Sequence, residues 1–203
     1  MSVKLFGVAT ETCGVGADPC FPSSSLVTKA DGTVSRLDAL KEGDAIVAAT
    51  ADGTLTTDTV SLLSIAQPLD RDTFLTITTD ANRTLTVTGE HHLPVGAACC
   101  TTLRKAKDVA VGDKVWAVKD GKKAVAATVK AISRAAGTGH HSPVLTGGSF
   151  PVVDGVVTSF DNLHAVTLAK FGLKGLIDAC KASGTCDSFK KLFLDGEAHK
   201  YIA

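Results

Sequence analysis

Two short stretches of this chain hold residue types that can do covalent chemistry near neutral pH. The first is Asp18-Pro19-Cys20-Phe21-Pro22-Ser23-Ser24-Ser25, in which Cys20 offers a thiol. The second is Leu85-Thr86-Val87-Thr88-Gly89-Glu90-His91-His92-Leu93-Pro94-Val95, in which Thr88 and His91 stand where a β-type run meets a turn. A thiolate is a strong nucleophile, but only about a few per cent of an unperturbed thiol is ionised near neutral pH, so a site must activate it. An imidazole takes up and gives up protons in the same pH range. A threonine hydroxyl both donates and accepts hydrogen bonds and can hold an amide or a ring in place. Each piece alone has a plainer explanation. A lone Cys is often a small buried hydrophobe, Thr-x-x-His occurs by chance, and His91 and His92 can be hydrogen-bonded loop residues. Cys20 with Thr88 and His91, 68 and 71 residues further along one β-rich stretch, is the stronger combination.

Other constellations carry less. His91-His92, Cys99-Cys100 and His140-His141 are soft and borderline metal ligands. The Cys-x-x-Cys or His-x-x-x-His spacing of a structural zinc site is missing, so neither a metal nor a cofactor is expected. Ser23-Ser24-Ser25 lacks the Gly-x-Ser-x-Gly setting of a serine hydrolase and reads as a polar loop. Cys13, seven residues before Cys20, could pair with it and make Cys20 redox-dependent; a separate Cys13 on an N-terminal arm is the alternative. The six cysteines leave the redox compartment open: Cys180 and Cys186 could close a small loop, whereas Cys99 and Cys100 are adjacent and awkward to join.

The elements that must position these residues read as β between residues 26 and 160. Ala45-Ile46-Val47-Ala48-Ala49-Thr50 ends at the turn signal Asp52-Gly53. Thr73–Thr79 and Thr84–Thr88 flank Asp80-Ala81-Asn82-Arg83 as a hairpin, and Lys114–Val118 runs into another turn at Lys119-Asp120-Gly121-Lys122. Arg36–Leu40 can make one helical turn, stopped by Gly43. Leu40-Lys41-Glu42-Gly43-Asp44-Ala45-Ile46-Val47-Ala48 resembles Val109-Ala110-Val111-Gly112-Asp113-Lys114-Val115-Trp116-Ala117 at an offset of 69 residues, and Thr59-Val60 meets Thr128-Val129 at the same offset. Two copies of a β unit are therefore expected. From Leu163 the period changes to a weak helical stripe, with a second amphipathic stretch over 187–194.

Composition bounds the partners. The chain has 203 residues, 44% hydrophobic and only 5% aromatic, and its 21 basic residues balance 21 acidic ones. That length suits one domain with a small appendage. A net charge of zero argues against a strongly basic nucleic-acid binder or a polybasic membrane-surface protein. No apolar run approaches the roughly 20 residues of a membrane-spanning helix, and the opening apolar patch is too short for a signal peptide. A monomer is expected, with no nucleic-acid partner.

Cys-Phe-Pro at 20–22, Gly43-Asp44, Leu85-Thr86-Val87-Thr88 with its Thr-x-x-His, and Val152-Val153-Asp154-Gly155-Val156-Val157-Thr158-Ser159 together resemble the Hint domain. This is the autoprocessing module shared by hedgehog C-terminal regions and inteins, and the hedgehog branch is the nearer match. The resemblance runs from roughly Cys20 to Ala169. It implies an all-β fold, a flat pseudo-two-fold body of long bent strands with a short C-terminal helical tail. The implied division is an N-terminal segment at 1–19 to be cut away, a Hint domain at 20–165 and a tail at 166–203.

The resemblance also implies roles. Cys20 would attack the carbonyl of Pro19, turning the Pro19–Cys20 amide into a thioester; His91 would protonate the leaving amine and Thr88 would orient the site. His92 is the rival for His91, and the Thr-x-x-His spacing selects His91. The substrate would be the chain's own N-terminal segment. The acceptor that resolves the thioester stays open among water, a thiol and a sterol hydroxyl. Hedgehog proteins use cholesterol with help from an Asp upstream of Thr-x-x-His, but Val60–Ala66 contains no acid, and Phe160 stands where those proteins carry a late Cys. Hedgehog proteins usually have Gly before the Cys; Pro19 restricts the backbone there and predicts slower thioester formation. Splicing lacks its His-Asn ending, since Asp161-Asn162-Leu163-His164 has the wrong order. The alternatives are a degenerate Hint body kept as a secreted binding module and an ordinary β-rich binding domain. The same resemblance implies secretion or the secretory pathway.

Overall fold

The computed structural model describes residues 19–119, 122–159, 179–180 and 182–185. β1 (Leu26–Thr28) and β2 (Val34–Arg36) pair antiparallel, and a single 3-10 turn at Leu37–Ala39 leads to β3 (Ala45–Ala49). β4 (Leu55–Thr79) runs for 25 residues, pairing with β3 at its start and with β5 (Thr84–Val87) at its end. β6 (His92–Pro94) and β7 (Leu103–Lys105) form a second small pair, and another 3-10 turn at Ala106–Asp108 leads to β8 (Lys114–Ala117). β9 (Val125–Leu145), 21 residues long, pairs with β8 and then runs antiparallel along β4. With β10 (Phe150–Val153) and β11 (Val156–Val157) the order is β3-β10-β11-β8-β9-β4-β5. The fold is all-β, as expected.

The duplication reaches individual hydrogen bonds. β2 and β7, the two 3-10 turns, and the starts of β3 and β8 recur at the offset of 69 residues seen in the sequence. In the first copy the Gly43 amide donates to Val60 and the Val60 amide to Asp44; in the second, Gly112 donates to Val129 and Val129 to Asp113. Asp44 accepts from the Lys41 amide as Asp113 accepts from the Ala110 amide. Each acidic side chain closes the turn that launches its strand. β4 and β9, the long strands of the two copies, are antiparallel partners, the relation that a two-fold axis imposes.

The run expected over Thr73–Thr79 is the end of one strand that begins at Leu55. Register shifts between Val60 and Leu62, Leu63 and Ile65, and Gln67 and Arg71 let it bend without breaking its pairing to β9. Pro68, which has no amide to offer a ladder, lies in the last of these skips. The main core gathers Phe21, Leu37, Ile46, Val60, Ile77 and Leu145, drawn from both copies. Cys99 and Cys100, expected to be awkward to join, are disulfide-bonded, and the peptide bond between them is cis. Residues 179, 180, 182 and 183 are helical. The remainder of the expected tail, its boundary near 165 and the segment 1–18 lie outside the described residues. Among the described residues no helix is long and apolar enough to cross a membrane.

Gly43 (φ 91°) and Gly112 (φ 97°) occupy the same left-handed position in the two copies, and a Cβ on either would meet nothing within 4 Å. Backbone strain is then the whole cost of adding one, about 1–2 kcal/mol. Gly43→Ala and Gly112→Ala should each lose that much in urea denaturation and lose it about equally; a clear inequality would contradict the equivalence of the two turns.

Candidate active site

Thr88 holds Cys20 at two points. The Cys20 amide, which is the nitrogen of the Pro19–Cys20 bond, donates to Thr88 Oγ1 at 2.8 Å, and the Thr88 amide donates to the Cys20 carbonyl at 2.9 Å. Cys20 is fully buried and stands as a thiol. The Cys13 pairing expected as an alternative involves a residue outside the described ones.

The Thr-x-x-His spacing has a local cause. The His91 amide donates to the Thr88 carbonyl at 3.2 Å, so residues 88–91 close a tight turn that carries both Thr88 and His91. The second copy locks this turn: the Ala106 amide donates to the His91 carbonyl and the Lys107 amide to the Gly89 carbonyl. Glu90 ion-pairs with Lys105 and Lys107 on the outside.

The His91 ring is fully buried against Phe21, with ring centroids 4.3 Å apart. Its Nε2 lies 3.0 Å from the Ser159 carbonyl. A carbonyl only accepts, so Nε2 carries the proton and Nδ1 of the neutral ring is a bare lone pair. Nδ1 has no hydrogen-bond partner among the described residues. Burial pushes the imidazole down from its ordinary 6.5 to about 4, against the opposing pull of the Ser159 and Pro19 carbonyls. Nε2 is taken by Ser159, so Nδ1 is the nitrogen left for the scissile bond. The ring is therefore neutral at pH 7 and lies near the Pro19 carbonyl of the bond whose amide Thr88 holds.

His92 sits on β6 opposite Lys105, half-buried, and burial lowers its pKa first, with Lys105 adding to the effect. Its backbone carbonyl accepts from the Ser159 amide at 3.1 Å, so it helps to place the carbonyl that His91 uses. The strand after Cys20 is fixed on its other side by β9: Phe21 and His141 exchange two backbone hydrogen bonds, and Ser23 Oγ lies 2.9 Å from His141 Nε2. Asp154 accepts from Ser25 Oγ and from the Leu26 amide, tying the same segment to the β10–β11 turn.

Thus the structure gathers Cys20, Thr88 and His91 with the Pro19–Cys20 bond. It adds the Ser159 backbone, which residue types did not single out, and it packs Phe21 of the Cys-Phe-Pro motif on the His91 ring. The only sequence signal for Ser159 was its place at the end of the Val152–Ser159 run. Among the described residues no three His, Cys, Asp or Glu side chains come together as metal ligands.

A sequence profile described as the Hint module matches residues 10–183. Protein qua-1 of Caenorhabditis elegans is 29% identical over 175 residues, covering 77% of this chain and 15% of that protein. The Tiggy-winkle hedgehog protein of Danio rerio is 34% identical over 145 residues, covering 69% of this chain and 35% of that protein. The chain thus spans well under half the length of either relative. Among solved structures, a DnaB intein from Synechocystis superposes with a TM-score of 0.61 at 12% identity, covering 70% of this chain and 98% of the intein. A bacterial intein-like domain from Clostridium thermocellum gives a TM-score of 0.56 at 15% identity, covering 69% and 97%. At these identities the likeness is one of fold.

The depressed value for His91 means that the unfolded chain binds more protons than the folded one between about pH 6.5 and about 4, so this ring's contribution to stability is lost as pH falls through that window. In a Cys20→Ala chain labelled at histidine nitrogens, NMR should show His91 neutral with its proton on Nε2 until about pH 4. A midpoint near 6.5 would contradict the buried neutral ring.

Proposed function

We propose that this chain, which belongs to the Hint module family, cuts its own backbone between Pro19 and Cys20 through a thioester. Membership supports autoprocessing as the class of activity. The observation that carries the finer reading is the pairing of the Cys20 amide with Thr88 Oγ1 beside a neutral His91 whose ring feels the Pro19 carbonyl.

In the first step the Cys20 thiol gives its proton to His91 Nδ1, and the sulfur attacks the Pro19 carbonyl carbon. Charge builds on the carbonyl oxygen. The imidazolium formed at that moment is no longer an isolated buried cation, because its Nδ1–H faces the new oxyanion. The burial that disfavours the charged ring at rest thus strengthens its attraction to the oxyanion in the transition state. The C–N bond then breaks as the nitrogen takes the proton back from Nδ1, leaving a Pro19 thioester and the free amine of Cys20. Thr88 holds that nitrogen throughout, and the Ser159 carbonyl keeps Nε2 protonated, so Nδ1 is the nitrogen that moves the proton. Resolution by an outside acceptor releases the N-terminal segment and restores the Cys20 thiol.

A second reading has its own observations. Pro19 restricts the backbone next to the scissile bond, and β4 carries no acid between Val60 and Ala66. Both fit a Hint body kept for binding rather than cleavage. The hedgehog relative supports the secretory pathway as the compartment.

Incubation of the full chain with dithiothreitol should yield a fragment beginning at Cys20, read by intact mass. Cys20→Ala should abolish it, and His91→Ala should slow it by about 100-fold or more, the scale of a positioned acid–base group. Pro19→Gly should speed it. A chain that stays whole in reductant at neutral pH favours the binding reading.

A further inference from the structure

The steps assigned to Cys20, Thr88 and His91 use neither His140 nor Asp72. His140 is only 6% exposed, and its Nε2 lies 3.0 Å from Asp72 Oδ2. Asp72 is itself largely covered, its side chain 14% exposed. A carboxylate accepts, so Nε2 carries a proton, and in the neutral ring Nδ1 is the lone pair. That Nδ1 is buried and has no hydrogen-bond partner among the described residues. A carboxylate fixing one nitrogen of a buried imidazole, with the other left as a base, is the arrangement by which enzymes activate hydroxyl groups.

Its position relative to Cys20 follows from strand alternation. Phe21 and His141 are a hydrogen-bonded pair, and Ser23 Oγ meets His141 Nε2 on the same face. Successive side chains alternate, so Cys20 and Pro22 lie on the opposite face, with Ser142 and His140 across from them. Independent contacts agree. The His140 ring packs on Phe74, with centroids 5.7 Å apart, and a Cβ at Gly137 would meet both Phe74 and Pro22. His140 is therefore the diagonal neighbour of Cys20, a relation that spans about 7–8 Å.

Resting on the thioester reading above, we propose that His140, held by Asp72, is the base that activates a hydroxyl acceptor, water or an alcohol, for attack on the Pro19–Cys20 thioester. His140 Nδ1 takes the acceptor's O–H proton as the oxygen attacks the Pro19 carbonyl carbon. The C–S bond breaks, and the Cys20 thiolate takes the proton from the imidazolium. Thioester and hydroxyl become acid or ester plus thiol, and His140 returns to its neutral form. Asp72 is a positioning residue: it keeps the proton on Nε2 and balances the imidazolium. An oxygen acceptor needs such a base because water ionises only near pH 15.7, whereas a thiol with a pKa of about 8.5 supplies its own nucleophile in mild alkali.

The test uses the full chain and compares two acceptors. Dithiothreitol at mildly alkaline pH reads thioester formation. Plain buffer, and buffer with glycerol, read attack by oxygen, and the mass of the N-terminal fragment separates acid from ester and so water from alcohol. In His140→Gln the ratio of oxygen product to thiol product should fall by about 100-fold or more. Asp72→Asn should lower the same ratio, and Asp72→Glu should regain part of it, a pattern that general loss of packing would not give. An unchanged ratio in His140→Gln overturns the proposal, as does an original chain that reacts with thiol but never with oxygen. If His140→Gln gives neither product, an unchanged ratio in Asp72→Asn overturns it and a lowered ratio with recovery in Asp72→Glu supports it. An original chain that reacts with neither acceptor refutes the thioester reading, and this one with it.

Discussion

The candidate site depends on one constraint, the two-point hold of Thr88 on Cys20. One bond runs from the Cys20 amide to the threonine hydroxyl and the other from the Thr88 amide to the Cys20 carbonyl. Together they fix the Cys20 backbone, and with it the nitrogen of the Pro19–Cys20 bond, relative to the 88–91 turn. Because His91 closes that same turn, a single local structure sets both the group that holds the amide and the group that can move its proton. The interior is close-packed, with Phe21 wedged against the His91 ring, so neither partner can drift without disturbing the core.

The duplication explains how a body with so little helix among its described residues can hold such a site. Each copy supplies a Gly-Asp turn that launches a strand, and the long strands β4 and β9 then cross-brace the halves. The site lies where the copies meet. Cys20, Thr88 and His91 precede or belong to the first copy, while Ser159, Ala106 and Lys107 reach in from the second. The copies have diverged in the use of equivalent chemistry: Thr88 holds the Cys20 amide, whereas Thr158, at a nearly matching place, spends its hydroxyl on the Pro151 carbonyl.

Much of this was legible in the sequence because it is local. Asp52-Gly53 and 80–83 are turns, with Gly53 and Asn82 at positive φ, and Gly43-Asp44 and Gly112-Asp113 mark the repeat. Cys20, Thr88 and His91 are not local to one another; they stood out through the resemblance of their two short motifs to the Hint domain. What was not legible depends on tertiary geometry. The fusion of 55–79 into one strand needs bulges that only pairing with β9 supports, and Pro68 argues locally against it. The acceptor for His91 Nε2 is a backbone carbonyl, which any residue type would provide. Asp72 and His140 are 68 residues apart, and no local pattern joins them.

Hydroxylamine trapping tests the central claim most directly, because it captures an acyl group only while that group is activated. Added to the full chain at neutral pH without other thiols, it should give two products. One is an N-terminal fragment ending in a hydroxamate on Pro19; the other is a C-terminal fragment whose first residue is Cys20 with a free amine and thiol. A chain that remains uncut, or one cut at any other bond, would contradict a thioester at the Pro19–Cys20 junction.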